Sequence, residues 1–402
     1  MGSPLTVAAS SDITAIRARF IWAGPGRVHA PGEVVIAQGR IVSIGRLVRR
    51  ARVLDCAVFP GLVNAHAHLQ LGRLGHVERR FLPWVRAVMS AARETSRQDL
   101  ARRAQRSIRS LVRSGTTAVG EIDSTGLSSA ELRSTGFAGR CYQELLGHDL
   151  GPQAARRELI SRGVQGSRPC PAGWSPHAPY SVSPALFRAA ARSGLPLMVH
   201  AAETEEEMQF LHTGRGPFRD LLEELGRIPS GFKPARLGAV RWLDRLGILD
   251  SSCAVVHAQH LEEGEAELLH RHGTAIVVCP GTIRHFRRAA PPLREWLDLG
   301  ISVALGTDSL ASNTRLSMLV EMRRARQLWP DLPPEAVLAM ATAAGGRALA
   351  RPSLGILARG GRADVVCADT AGYRDMPTAV DAFTMGELSL RSVMLGGKRV
   401  DF

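Results

Sequence analysis

The chain has 402 residues, 45% of them hydrophobic, and a formal charge of +14, a globular composition large enough for one big domain and a smaller one. No apolar run nears the roughly 20 residues that cross a bilayer, and residues 1–20 lack the basic-then-apolar order of a secretory leader, so neither membrane nor export is expected. Lys233 and Lys398 are the only lysines; the arginines that carry the charge are interleaved with apolar residues, as in 97–113, and read as solvated helix faces rather than a nucleic-acid surface.

At the N-terminus, Gly2 and Thr6 fit a loose myristoylation pattern, read as a chance match. Residues 13–56 read as short strands, with 34–47 forming two β-rich runs about a turn at Gln38-Gly39. Strands are then expected at 57–69, 116–123, 139–147, 173–180, 196–203, 253–261, 274–280 and 301–308. Helical segments separate most of them, including 82–96, 205–214, 262–273 and 292–300. That alternation predicts an α/β chain built on a (β/α)8 barrel. An open doubly wound sheet is the competitor, but no strand is followed by a GxGxxG turn. The C-terminus returns to strands at 361–370 and 392–402, with a turn at Gly396-Gly397, and can pair with the N-terminal strands in one small β-domain. The boundaries expected are 1–57 and 356–402 for the two parts of that domain and 58–355 for the barrel. Six cysteines (Cys56, Cys141, Cys170, Cys253, Cys279 and Cys367) form no CxxC pair and read as reduced core thiols of a cytoplasmic protein.

Reacting groups of such a barrel sit at the C-terminal ends of its strands, and several strands here end in metal-ligand types. His66 and His68 close the first. Two residues apart on a strand, they face the same side about 7 Å apart and could share one ion. His200 and Glu203 close the fifth, as ligand and proton carrier. Glu205, Glu206 and Glu207 fit a helix first turn better than Glu203 does. His257 closes the sixth and is preferred over His260. Asp308 closes the eighth, where a buried carboxylate calls for a cation or a hydrogen-bonded water; Ser309 could cap the next helix instead.

The stretches GLVNAHAHL, SPHAPYSVS, VHAAETEEE, VVHAQHL and GTDSLASN resemble the amidohydrolase superfamily, in the branch of S-adenosylhomocysteine/methylthioadenosine, guanine and cytosine deaminases and triazine chlorohydrolases. The resemblance implies a (β/α)8 TIM barrel with a small β-sandwich formed by both termini. It implies His66, His68, His200 and Asp308 as ligands of one divalent ion, zinc with iron as the alternative; neither lysine lies on the fourth strand, where two-metal relatives carry a bridging one. It also implies Glu203 as proton shuttle, His257 as orienting the hydrolytic water, Asp308 as accepting that water's proton, and His177 as a substrate contact.

A narrower likeness, carried by 66–74, 81–88, 140–147, 216–226 and 279–323, is to 6-amino-6-deoxyfutalosine deaminases of menaquinone biosynthesis. Gln70 departs from it where a Glu is usual, and Gly281-Thr282 where an Arg-Ser pair is usual. The expected activity is hydrolytic deamination of an aminated purine-type heterocycle. Dechlorination or cyclic-amide opening on the same centre is the alternative. Trp84 is assigned to stack on a flat ring, Glu144 and His177 to meet sugar hydroxyls or a carboxylate, and Arg284 and His285 to meet an acidic group. The partner expected is a small-molecule substrate, with a homodimer as the assembly considered.

Overall fold

The computed structural model describes residues 13–47, 53–164 and 166–400; the Gly2/Thr6 pattern and the start of the 1–57 segment lie outside them. The N-terminal strands are β1 (Thr14–Gly24), β2 (Arg27–His29), β3 (Gly32–Ala37), β4 (Arg40–Arg46) and β5 (Leu54–Pro60). The turn expected between β3 and β4 is present, with Gln38 and Gly39 at φ 50° and 74°, the left-handed pair of a two-residue hairpin.

Eight parallel strands follow: β6 (Leu62–Ala67), β7 (Thr116–Asp123), β8 (Ala138–Leu145), β9 (Ala172–Pro176), β10 (Leu197–Ala201), β11 (Cys253–His257), β12 (Ala275–Val278) and β13 (Val303–Leu305). Each pairs with its sequence neighbour, with helices between most of them as the periodicity predicts. The seam between β13 and β6 is joined just past the strand ends. The amides of Thr307 and Asp308 donate to the His66 carbonyl at 3.0 and 3.1 Å, and the Asn64 amide donates to Thr307 Oγ1 at 2.8 Å. The result is a nearly closed barrel. Its interior is filled by small and branched residues such as Val63, Ala65, Ala254 and Val256, together with Met198, as a closed eight-stranded barrel requires.

The chain returns through β14 (Val365–Asp369), β15 (Leu390–Leu395) and β16 (Lys398–Val400). These join β1–β5 in a second, mixed sheet ordered β16-β15-β14-β5-β1-β3-β4, with β2 on β1. The Gly396-Gly397 turn joins β15 to β16 with both residues at positive φ. The two ends therefore meet in one sheet.

One expectation is corrected. Residues 57–69 are not a single strand: 57–60 belong to β5 in the terminal sheet, and 62–67 are the first barrel strand. Gly61 is the pivot. Its amide donates to the Asp364 carbonyl at 2.9 Å, and a Cβ there would lie 2.0 Å from Thr117 Oγ1. Both arms are buried, so the apolar run crosses the pivot unbroken. No helix among the described residues is long and apolar enough to cross a membrane.

Candidate metal centre

The strand ends carry their side chains to one point at the mouth of the barrel. His66 and His68 lie at the end of β6, His200 in β10, His257 at the end of β11 and Asp308 just beyond β13. Three of the turns there are left-handed at non-glycine residues: Ala202 (φ 52°), His257 and Ala258 (77° and 50°) and Asp308 (54°). Each such residue costs on the order of 1–3 kcal/mol, a strain typical of functional sites. The turns are pinned by the Ala258 and His260 amides, which donate to the carbonyls of Ala201 and Ala202.

The donor atoms are spaced for one small cation. His200 Nε2 stands 3.2 Å from His66 Nε2 and 3.4 Å from His68 Nε2. Asp308 Oδ1 stands 3.9 Å from His66 Nε2 and 3.8 Å from His68 Nε2. Four ligands each about 2.1 Å from a tetrahedral ion lie about 3.4 Å from one another, so the residues fit the group. His66, His200 and Asp308 are buried, and four nitrogen and oxygen lone pairs facing one another repel unless a cation, protons or water lies between them.

Protonation favours the cation. Burial holds His66 well below the ordinary imidazole range and lowers His68 to about 4 and His257 to about 3. The imidazoles are therefore neutral and free to ligate near pH 7. His200 Nδ1 donates to the His177 carbonyl at 3.0 Å, leaving the Nε2 lone pair inward, the outer hydrogen bond that commonly orients a ligating histidine. For Asp308, burial pushes the carboxyl up, but His68, His257 and the hydroxyls of Ser312 and Thr282 outweigh it and hold it below the usual range. Those hydroxyls both donate to Oδ2, at 2.7 and 2.8 Å, so Oδ1 is left to face the histidines.

Glu203 and His257 sit beside this cluster, with His257 Nε2 3.7 Å from Glu203 Oε1. Burial raises the Glu203 carboxyl, and Arg288, donating to Oε1 at 3.1 Å, opposes the rise. His260 lies outside the cluster and is half-buried.

The cluster forms the floor of a cavity of about 850 Å³. Trp84 lines its wall, lying 5.6 Å from Phe81 in a stacked arrangement and donating its indole N–H to the Ala311 carbonyl at 2.9 Å. Glu144 also lines it, pushed up to about 7 by burial. His177 does too, its Nδ1 2.7 Å from Ser181 Oγ and its ring 4.8 Å from that of His200. Gln70 reaches the same space and donates to Asp123 at 2.6 Å.

Arg284 and His285 are placed elsewhere, and their assignment is corrected. The helix Pro280–Phe286 buries Gly281, Thr282 and Ile283 and turns Arg284 outward. Arg284 donates to Gln327 at 2.6 Å, and His285 Nε2 is 2.8 Å from the Glu78 carbonyl. Both line a separate outer groove. Arg288, which donates to Glu203 beside the cluster, was missed by sequence reasoning among many similar arginines. Thr282 and Ser312 were missed as partners of Asp308; the one available signal was a hydroxyl four residues after it.

Residues 57–400 match the amidohydrolase family, and the chain belongs to it: a hydrolase acting on carbon–nitrogen bonds. Among its relatives, the aminodeoxyfutalosine deaminase of Deinococcus radiodurans is 31% identical over 85% of this chain and 86% of that one. The 5-methylthioadenosine/S-adenosylhomocysteine deaminase of Pelotomaculum thermopropionicum is 28% identical over 86% and 82%. An adenosine deaminase from Xanthomonas campestris, solved with bound zinc, superposes with a TM-score of 0.77 at 23% identity, covering 96% of this chain and 92% of that one, and that likeness speaks for the fold.

Proposed function

We propose that this chain is a deaminase with one metal ion, acting on the exocyclic amine of a purine-type heterocycle, with 6-amino-6-deoxyfutalosine as substrate and futalosine and ammonia as products. The observation that carries the reading is the convergence of three imidazole Nε2 atoms and one carboxylate oxygen, at 3.2–3.9 Å spacing, on the floor of a large cavity beside a buried Glu. The nucleoside part of the substrate name rests on the similarity to the Deinococcus relative. The second relative favours S-adenosylhomocysteine or methylthioadenosine as the alternative.

In this reading His66, His68, His200 and Asp308 hold a divalent ion, zinc by analogy with the solved relative. When bound, such an ion lowers the pKa of water from 15.7 toward about 7 and polarises its oxygen. His257 orients the attacking water, and Asp308 accepts its proton. Glu203 protonates the ring nitrogen beside the reacting carbon, making that carbon electrophilic. The water oxygen bonds to carbon. The proton held by Asp308 passes to the amine, the carbon–nitrogen bond breaks with its electron pair going to nitrogen, and ammonia leaves; the hydroxyl left on carbon becomes the carbonyl by giving its remaining proton to Glu203, which restores the acid. Trp84 forms a stacking wall, and Glu144 and His177 meet the sugar or carboxylate of the substrate. We read the barrel strands β6–β13 with their helices as the hydrolase domain, and β1–β5 with β14–β16 as the second domain, folded as the family's sandwich. The buried thiols suit a cytoplasmic setting.

The test is ammonia release from 6-amino-6-deoxyfutalosine, S-adenosylhomocysteine, methylthioadenosine and adenosine measured side by side. The expected result is the highest kcat/KM on the first. No ammonia from any of them would overturn the deaminase reading. Glu203→Gln is expected to lower kcat by about a hundredfold or more, the size of a lost general acid, while metal content measured by atomic absorption stays unchanged. Near-full activity in that variant would remove Glu203 from the mechanism.

A further inference from the structure

We infer that Arg288 is a positioning residue that fixes Glu203 for proton transfer, and the inference rests on the deaminase reading above. Arg288 comes from the connection after β12, whereas Glu203 follows β10, so the guanidinium crosses the end of β11 to reach its partner. It donates to Glu203 Oε1 at 3.1 Å, and the two side chains are only 13% and 7% exposed. An ion pair this far from water is costly to assemble and costly to break.

The arginine is itself held by two aromatic rings. Its guanidinium carbon lies 4.5 Å from the Phe286 ring centroid and 5.3 Å from that of Phe81, within the range of cation–π attraction. Backbone geometry aims it: Arg287 is left-handed at φ 55° and the Arg288 amide donates to the Ile283 carbonyl at 3.0 Å. Glu203 is tied from its own side as well, its amide donating to Glu207 Oε2 at 2.8 Å.

The consequence is asymmetry in the carboxylate. Oε1 is taken by Arg288 and faces His257 at 3.7 Å, so Oε2 is the oxygen left for a ligand in the cavity that Glu203 lines. Without Arg288, Glu203 could rotate toward either His257 or the cavity, and the fraction of encounters with the acid correctly placed would fall. The guanidinium fork suits this better than an ammonium, because its planar donors set a direction as well as a charge. Arg288 does not line the cavity, so it acts through Glu203 and not on the substrate.

The test compares the wild type with Arg288→Met, Arg288→Lys and Arg288→Ala in zinc-loaded protein. For Arg288→Met we expect kcat about tenfold to a hundredfold lower, the usual cost of removing an outer partner of a reacting group, with KM changed less than about threefold and zinc content unchanged. Arg288→Lys recovers part of kcat, and added guanidinium recovers part of it in Arg288→Ala. A kcat unchanged in Arg288→Met overturns the inference. So does a loss that follows lost zinc or lost folded protein and that guanidinium fails to restore. A wild-type chain that releases no ammonia strikes the deaminase reading instead, and the two failures are thereby told apart.

Discussion

Thr282 and Ser312 both donate to Oδ2 of Asp308, so the orientation of this carboxylate is set before any ion arrives. Replacing both, as Thr282→Val with Ser312→Ala, is expected to weaken zinc binding by about tenfold to a hundredfold. Competition with a chelating dye measures it, and an unchanged affinity would mean the hydroxyls do not orient the ligand. Glu207 offers a test of burial. Burial raises its carboxyl from 4.5 to about 8, and its Oε1 has no hydrogen-bond partner among the described residues. The folded state thus holds the proton more tightly than the unfolded chain. The stability this contributes is complete below pH 4.5 and is lost as pH rises through 8. Glu207→Gln cannot ionise and keeps an oxygen for the Glu203 amide, so its Tm should gain on the wild type between pH 5.5 and 8. A difference independent of pH would contradict the assignment. At this scale the histidines were legible because each ends an apolar run. Arg288 was not, because an arginine's reach across a strand end leaves no trace in local spacing, and Arg284, four residues before it, faces out.

The seam between the first and last barrel strands shows what an element contributes to the site. Asn64 donates to Thr307 Oγ1 and accepts from the Thr307 amide at 3.0 Å, holding the strand that bears His66 against the segment that bears Asp308. Asn64→Ala leaves the buried Thr307 hydroxyl without that partner and is expected to cost about 1–3 kcal/mol, read from urea unfolding. A change under about 0.5 kcal/mol would show that the backbone bonds to the His66 carbonyl close the seam alone. The eight barrel strands could be located from sequence because both faces of a parallel strand are buried and read as short continuous apolar runs. The same property hid the break at Gly61, where two buried strands of different sheets are joined without a polar residue between them. The seam pairing of residues 64 and 307 was invisible for a different reason: nothing local links positions so far apart.

Over the whole molecule, the two terminal segments share one sheet while the candidate ligands come from three strand ends spread from His66 to Asp308. The centre therefore exists only in the folded chain, and an ion bound there adds its binding free energy to folding. The substrate was the least legible feature, since the residues assigned to meet it divide between the cavity, which takes Trp84, Glu144 and His177, and the outer groove, which takes Arg284 and His285.

The most direct measurement is a zinc titration of chelator-stripped protein with ammonia release recorded at each addition. Activity should rise linearly, break at one equivalent and stay flat, and His66→Ala or Asp308→Ala protein should show no rise. Activity indifferent to zinc, or a break at two equivalents, would contradict the single centre on which the account depends.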